Sequence, residues 1–116
     1  MKSSLLLAAV AFALVVAPAA TAAGTLTVNP DPVARGATFT LSGCGYPETG
    51  ISFEVAGPRK SGIDYFTAAE PVDSQGCYSA TWTAWWAVAG DYQITSYALD
   101  PRGGRKKATV VKFTVT

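Results

Sequence analysis

Few of the side chains in this chain are types that usually perform catalysis, and they are poorly placed for it. The sequence has no histidine, so the commonest general base and neutral metal ligand are missing. It has no phosphate-binding glycine loop and no calcium-loop spacing. Its carboxylates are scattered, mostly at predicted turns where such residues are common: Glu48, Glu54, Asp64, Glu70, Asp73, Asp91 and Asp100. We therefore expect no catalytic site, no metal and no cofactor.

Three tryptophans are the first candidates for recognition. Trp82 fits a core position on a predicted strand. Trp85 and Trp86 are adjacent, so on an extended chain they point in opposite directions and only one is easily buried. The other either covers an edge of the fold or lies exposed as an anchor for a protein or glycan. The sequence does not decide which of the two is exposed.

The second candidate binding feature is a group of cations near the C-terminus. Arg102, Arg105, Lys106 and Lys107 are predicted to lie in the hairpin between the last two strands. Hairpin loops at the ends of β-folds often carry binding residues. An ordinary solvated turn, whose charges protect an edge strand, explains the same residues. Four cations are few for nucleic-acid affinity at physiological salt, so no nucleic-acid partner is expected.

The first 22 residues have the composition of a secretory signal peptide. Lys2 supplies a positive start, residues 5–17 are continuously apolar, and Ala20-Thr21-Ala22 fits a signal-peptidase site. A retained membrane anchor is the alternative, but the apolar run is shorter than the ~20 residues that a spanning helix needs. We expect cleavage after Ala22 or Ala23, a single mature domain over residues 23–116, and a secreted or cell-surface location.

Removal of this segment changes the charge of the chain. The whole sequence has nine Lys and Arg against eight Asp and Glu, and loss of Lys2 leaves eight against eight. A neutral domain has no overall field to attract polyanions or anionic lipid.

Cys44 and Cys77 remain in the mature domain, and an even cysteine count in an exported chain predicts a disulfide.

The mature part has the pattern of short antiparallel strands. Apolar and polar residues alternate with a period of two, and Gly, Pro, Asn and Asp interrupt the alternation at short intervals. The pattern predicts an all-β, immunoglobulin-like sandwich of about seven strands. The predicted strands are 25–29, 37–44, 51–55, 64–68, 77–83, 91–99 and 108–116.

The positions of the cysteines predict where the disulfide lies. Cys44 ends the second predicted strand and Cys77 begins the strand expected to pair with it. Both alternate with the outward-facing Ser and Thr residues, which favours a bridge within one sheet on the solvent side. A core bridge between the two sheets is the alternative, and a bulge at Gly43 would produce it.

The mature sequence resembles the secreted bacterial immunoglobulin-like domains. The resemblance covers most of residues 25–116 and has low functional specificity. It is carried by Leu26-Thr-Val-Asn-Pro30, Val33-Ala-Arg-Gly36, Phe39-Thr-Leu-Ser-Gly-Cys-Gly-Tyr46, Asp73-Ser-Gln-Gly-Cys-Tyr-Ser79 and Ala89-Gly-Asp-Tyr-Gln-Ile94. It implies that Tyr92 forms a tyrosine corner, with its ring packed inward and its hydroxyl bonded to nearby backbone.

A fainter resemblance is to the neocarzinostatin type of chromophore carriers, through the start of the domain and the Ser-Gly-Cys-Gly segment at 42–45. Those proteins typically have two disulfides, this chain can form one, and none of their ligand contacts can be placed on it. Three functions follow as hypotheses. They are a non-enzymatic module that binds protein or polysaccharide, a carrier of a small apolar ligand, and a structural subunit of a surface layer, filament or virion.

Overall fold

A computed structural model describes residues 24–116. The predicted signal peptide, residues 1–22, lies outside the described residues. The described chain forms seven strands and a short 3₁₀ turn at Arg59–Ser61. No helix in this part is long and apolar enough to cross a membrane. The strands are β1 (Thr27–Asn29), β2 (Thr38–Gly43), β3 (Ile51–Ala56), β4 (Asp64–Phe66), β5 (Tyr78–Thr83), β6 (Gly90–Leu99) and β7 (Arg105–Val115).

The strands form two antiparallel sheets. One has three strands in the order β1-β2-β5, and the other has four in the order β4-β3-β6-β7. This arrangement confirms the predicted immunoglobulin-like β-sandwich. The strand predicted at 64–68 is present as β4, which pairs with β3 and not with β5. The two sheets therefore have β5 and β4 as edge strands, and this placement matters for the candidate site.

The alternation of side chains along the strands produces the core. Phe39 and Leu41 of β2 face inward, as do Phe53 and Val55 of β3 and Ile94 of β6, and all are buried. Aromatic rings fill much of the space between the sheets. Phe39 lies 5.4 Å from Phe113 between ring centroids, and Phe53 lies 4.9 Å from Tyr78. Burial of such large apolar surfaces is the main driving force for closing the two sheets.

The disulfide lies within the three-stranded sheet. Gly43 of β2 is paired with Tyr78 of β5, so the neighbouring Cys44 and Cys77 meet beside the last pair of the ladder and are bonded. Cys44 is exposed and Cys77 is half-buried. The bridge is therefore the in-sheet, solvent-side one, and the alternative of a bridge through the core is wrong.

Gly43 allows the chain to pack closely beside this bridge. Its pairing with Tyr78 is in register, so there is no bulge to reverse the direction of Cys44. A Cβ atom at position 43 would lie 2.0 Å from the Thr25 carbonyl oxygen. The Thr25 amide also donates to the Cys44 carbonyl at 2.8 Å. Only glycine permits this close approach of the N-terminal segment to β2.

The hairpin between β6 and β7 differs from the prediction. β7 begins at Arg105 instead of residue 108, so Arg105, Lys106 and Lys107 belong to a strand and only Arg102 lies in the turn. The pairing shifts between Ser96, which opposes Thr109, and Tyr97, which opposes Lys107. One extra residue, Ala108, therefore lies in β7 as a β-bulge. The extra residue interrupts the alternation of apolar and polar side chains along β7. For this reason the sequence pattern predicts that this strand begins at residue 108.

We expect the disulfide to contribute strongly to stability. Its cysteines are 33 positions apart, and closing a loop of that length is worth about 4 kcal/mol in the chain-entropy model. The double variant Cys44→Ser/Cys77→Ser should therefore lose about 4 kcal/mol in the free energy of unfolding, measured in urea. The wild-type domain under reducing conditions is the control and should show the same loss. A loss below about 1 kcal/mol in both samples would contradict the prediction.

Candidate functional site

A shallow groove with aromatic walls runs between the two edge strands β4 and β5. Its volume is about 380 Å³. Tyr65 and Thr67 contribute one side, while Trp82, Thr83 and Trp85 contribute the other. We call these five residues the edge groove. Three aromatic rings with threonine hydroxyls between them offer flat apolar faces and hydrogen-bonding groups to a ligand.

Trp85 is the most exposed large hydrophobic side chain among the described residues, with 63% of its surface accessible. Its neighbour Trp86 is 1% accessible and stacks on the ring of Tyr92, with 4.9 Å between centroids. The Ala84 N–H still donates to the Ala37 carbonyl at 2.8 Å, but the Trp85 N–H donates to the Thr83 carbonyl at 3.0 Å, so the chain turns as it leaves β5. The two tryptophan rings are neighbours, with 6.1 Å between their centroids, and the exposed Trp85 lies against the buried Trp86 instead of pointing away from it.

The chain around the two tryptophans is held at several points. The Tyr92 hydroxyl donates to the Val88 carbonyl at 2.5 Å, which is the tyrosine corner that the resemblance implied. The Arg35 guanidinium donates to the Ala87 carbonyl at 3.0 Å. These bonds fix the backbone just after Trp86. Trp85 is therefore an exposed side chain on a firmly held segment, which limits the entropy lost when it binds a partner.

Trp82 is half-buried and held by a chain of hydrogen bonds. Its indole N–H donates to the Tyr78 hydroxyl at 3.2 Å, and that hydroxyl donates to the Glu70 carboxylate at 2.8 Å. Its ring meets Phe53 edge-on at 5.6 Å. Trp82 thus faces the core, as the sequence predicted, and also lines the edge groove. Its orientation depends on Tyr78 and Glu70, which sequence analysis did not single out.

Burial is the main cause that raises the pKa of Tyr78 to about 12. The Trp82 indole N–H acts in the opposite direction, while the Glu70 carboxylate adds to the rise. Burial also raises the pKa of Tyr65, and this effect outweighs the nearby Trp86 indole N–H. That N–H makes no hydrogen bond of good geometry. The hydroxyls of Tyr78 and Tyr65 are therefore both neutral at physiological pH.

Next to the groove, an aromatic and cationic stack covers part of the outer face of the four-stranded sheet. Phe66, which is 45% accessible, lies 5.5 Å from Tyr97 between ring centroids. The Arg105 guanidinium carbon lies 4.2 Å from the Phe66 centroid and 5.9 Å from that of Tyr97. Such cation–π contacts hold a guanidinium by its face. The Tyr97 hydroxyl donates to Glu54 at 3.0 Å, and this bond is the largest cause that raises its pKa.

A second depression, of about 500 Å³, lies between this stack and the β6–β7 hairpin. We call it the outer pocket. Its lining includes Thr67, Ser52, Leu99, Asp100 and Arg105. Ser52 is 2% accessible, and its hydroxyl oxygen has no hydrogen-bond partner. Buried hydroxyls are normally paired, so Ser52 has unused hydrogen-bonding capacity.

The four predicted cations are exposed but do not form one cluster. Arg102 lies in the turn, where its backbone N–H is bonded to Asp100. Arg105 and Lys107 oppose Leu99 and Tyr97, whereas Lys106 opposes Ala98 on the other side of the strand. The Ala108 bulge brings Arg105 to the outer face beside Tyr97. Of the four, Arg105 alone lines the outer pocket.

Sequence analysis missed Phe66, Tyr65 and Ser52 as site residues. A hint was available for the first two, since adjacent aromatics on one strand must face opposite sides.

Within residues 24–116, no group of three or more Cys, His, Asp or Glu side chains is placed to hold a metal ion. In comparisons with known proteins, no family model and no curated protein sequence matches the chain.

The two tryptophans should differ sharply in their contribution to stability. Trp86→Ala removes a buried ring and should lower the free energy of unfolding by about 3–5 kcal/mol. Trp85→Ala removes an exposed ring and should change it by no more than about 0.5 kcal/mol. Urea unfolding followed by circular dichroism measures both. Trp86→Phe, with a loss of roughly 1–3 kcal/mol, gives the comparison if the alanine variant does not fold. Equal losses for Trp85→Ala and Trp86→Ala would contradict the assignment.

Stability should fall at alkaline pH because of Tyr78. The unfolded chain releases this proton near the model value of 10.0, but the folded chain keeps it up to about 12. The contribution is therefore complete below pH 10 and is lost as the pH rises towards 12. We expect the urea midpoint to fall between pH 9 and pH 11, and Tyr78→Phe to reduce this fall. An unchanged pH dependence in Tyr78→Phe would contradict the prediction. Tyr97→Phe also removes a hydroxyl whose pKa is raised, and it should reduce the fall less than Tyr78→Phe does.

Proposed function

We propose that this protein is an exported, non-enzymatic binding module that recognises protein or polysaccharide at or outside the cell surface through the edge groove. The observation that carries the proposal is the exposure of Trp85 beside Trp82 and Tyr65. Exposed tryptophans on rigid segments are frequent anchors of recognition. The burial of Trp86 explains how Trp85 is oriented but not why so large an apolar side chain faces solvent. A ligand that covers it supplies a reason.

Export is supported by two independent features of the chain. The predicted signal peptide has the order of positive, apolar and small residues that secretion requires. The disulfide between Cys44 and Cys77 belongs to oxidising compartments, since cytosolic thiols are kept reduced. The resemblance to secreted bacterial immunoglobulin-like domains agrees with both features. A bacterial extracellular location is therefore part of the proposal.

The shape of the depressions favours a surface binder over a carrier of a small apolar ligand. A carrier needs a concave apolar cavity that encloses most of its ligand. Here the space between the sheets is filled by side chains such as Phe39, Phe53 and Trp86, all nearly inaccessible. The edge groove and the outer pocket are open depressions with mixed polar and apolar linings. Such surfaces suit an extended ligand that lies across the domain.

The edge of β7 argues against strand addition as the main mode of assembly. Part of this edge is already covered, because Val33 pairs in parallel with Val115 and Asp31 accepts the Thr114 N–H at 3.0 Å. The remaining stretch carries Lys112, which is exposed. Lysines on edge strands discourage pairing with further strands. We therefore prefer recognition through side chains to a role as a filament or layer subunit.

Substitution of Trp85 tests the proposal directly. The domain over residues 23–116 should bind at least one target on an array of glycans and purified extracellular proteins. Trp85→Ala should weaken that binding about tenfold or more, as expected for a hot-spot aromatic. Val110→Ala, at an exposed apolar residue on the opposite edge, is the control and should have no effect. Binding that is the same for the wild type and Trp85→Ala would reject the edge groove as the binding site.

A further inference from the structure

The edge groove and the outer pocket are adjacent. Thr67 lines both depressions. Its hydroxyl accepts the Phe53 N–H at 3.0 Å and donates to the Ala68 carbonyl at 3.0 Å, so its position is fixed at the point where β4 ends. A ligand lying along this edge of the domain passes from Trp85 over Thr67 to Arg105. The two depressions thus form one track with different chemistry at its two ends.

The Trp85 end of the track offers flat rings and few charges. Trp85, Trp82 and Tyr65 expose apolar faces, and Thr83 and Thr67 place hydroxyl groups beside them. A sugar ring has the complementary character, with an apolar face of C–H groups and a rim of hydroxyls. Peptides lack this regular combination along their length. The chemistry of the groove walls therefore favours a polysaccharide over a protein segment.

The other end of the track offers a positioned cation and an unpaired hydroxyl. The Arg105 guanidinium carbon lies 4.2 Å from the Phe66 centroid, and a contact with a ring leaves the N–H donors of a guanidinium available to a further acceptor. A planar carboxylate matches this fork of donors. Ser52 lies at the floor of the same pocket without a hydrogen-bond partner. The Ser52 oxygen lies beneath the surface of the pocket, so an acceptor group bound at Arg105 reaches it only when the lining shifts.

We infer that the track binds an acidic polysaccharide of the uronic-acid type. Neutral ring faces lie on Trp85 and Trp82, and a carboxylate reaches Arg105 and Ser52. The inference rests on the proposed function and adds the class of ligand to it. One cation serves this end, and the nearby carboxylates of Glu54 and Asp100 are already engaged by the Tyr97 hydroxyl and by the N–H groups of Arg102 and Gly104. A single available cation suits a singly charged carboxylate better than a doubly charged phosphate.

The test compares two polymers with the same sugar backbone, one with free carboxylates and the other with neutral methyl esters. Polygalacturonate carries a carboxylate on each unit, and its methyl-esterified form has the same backbone without the charge. Isothermal titration should show that the wild-type domain binds the acid form about tenfold tighter or more, since hydrogen bonds to charged groups are the stronger ones. High salt should reduce this difference.

Four variants separate the parts of the track. Arg105→Gln should remove the preference for the acid form, whereas Lys112→Gln, which removes one exposed positive charge elsewhere, should not. Trp85→Ala should weaken the binding of both forms. Ser52→Ala should weaken binding of the acid form by about threefold to tenfold, the worth of one hydrogen bond. Its melting temperature should stay the same or rise, because an unpaired buried hydroxyl is removed, and a purely structural serine would behave in the opposite way.

The outcomes distinguish this inference from the proposed function. If both polymers bind equally and Trp85→Ala weakens both, the preference for acid is wrong and the binding function stands. If neither polymer binds, the polysaccharide inference is overturned. The proposed function is then judged by whether the array finds a protein ligand whose binding needs Trp85. If Arg105→Gln and Lys112→Gln reduce acid binding equally, the attraction is general charge and the site at Arg105 is rejected.

Discussion

The packing of Trp86 on Tyr92 is the interaction on which the candidate site depends. The two rings stack at 4.9 Å in the core, and the Tyr92 hydroxyl bonds to the Val88 carbonyl. Together they fix the chain that leaves β5 and connects it to β6 in the other sheet. Trp85, whose ring lies 6.1 Å from that of the buried Trp86, stays exposed at the edge of the sandwich. A contact made for stability thus also determines where the edge groove lies.

Much of the fold follows from local rules that the sequence displays. The alternation at Phe39 and Leu41, or at Tyr92 and Ile94, predicts strands and their inward faces, and the structure has both. The position of the disulfide follows from the same rule, because Cys44 alternates with the outward residues of its strand. Such predictions succeed where each residue adds one step to a regular strand. They need no knowledge of what lies across the sandwich.

The candidate site depends on features that a period-two pattern does not contain. The Ala108 bulge changes the facing of Arg105, and nothing in the charged stretch before it signals an extra residue. Tyr65 and Phe66 could be assigned to opposite sides, but which one faces inward depends on the pairing of β4 with β3. The edge groove also needs β4 and β5 to lie side by side on different sheets. That juxtaposition is tertiary, and local spacing does not encode it.

The bulge at Ala108 has a consequence for how this scaffold diversifies. The core side of β7, through Val111, Phe113 and Val115, lies beyond the bulge and does not depend on it. If β7 kept its length and paired without the bulge, Ala108 would oppose Tyr97 and Lys106 would take the place of Arg105 opposite Leu99, without moving any interior ring. Deletion of Ala108 itself would leave Arg105 opposite Leu99. Which of the two cations lies on the outer face is therefore set by the pairing at one position, with the packed interior left untouched.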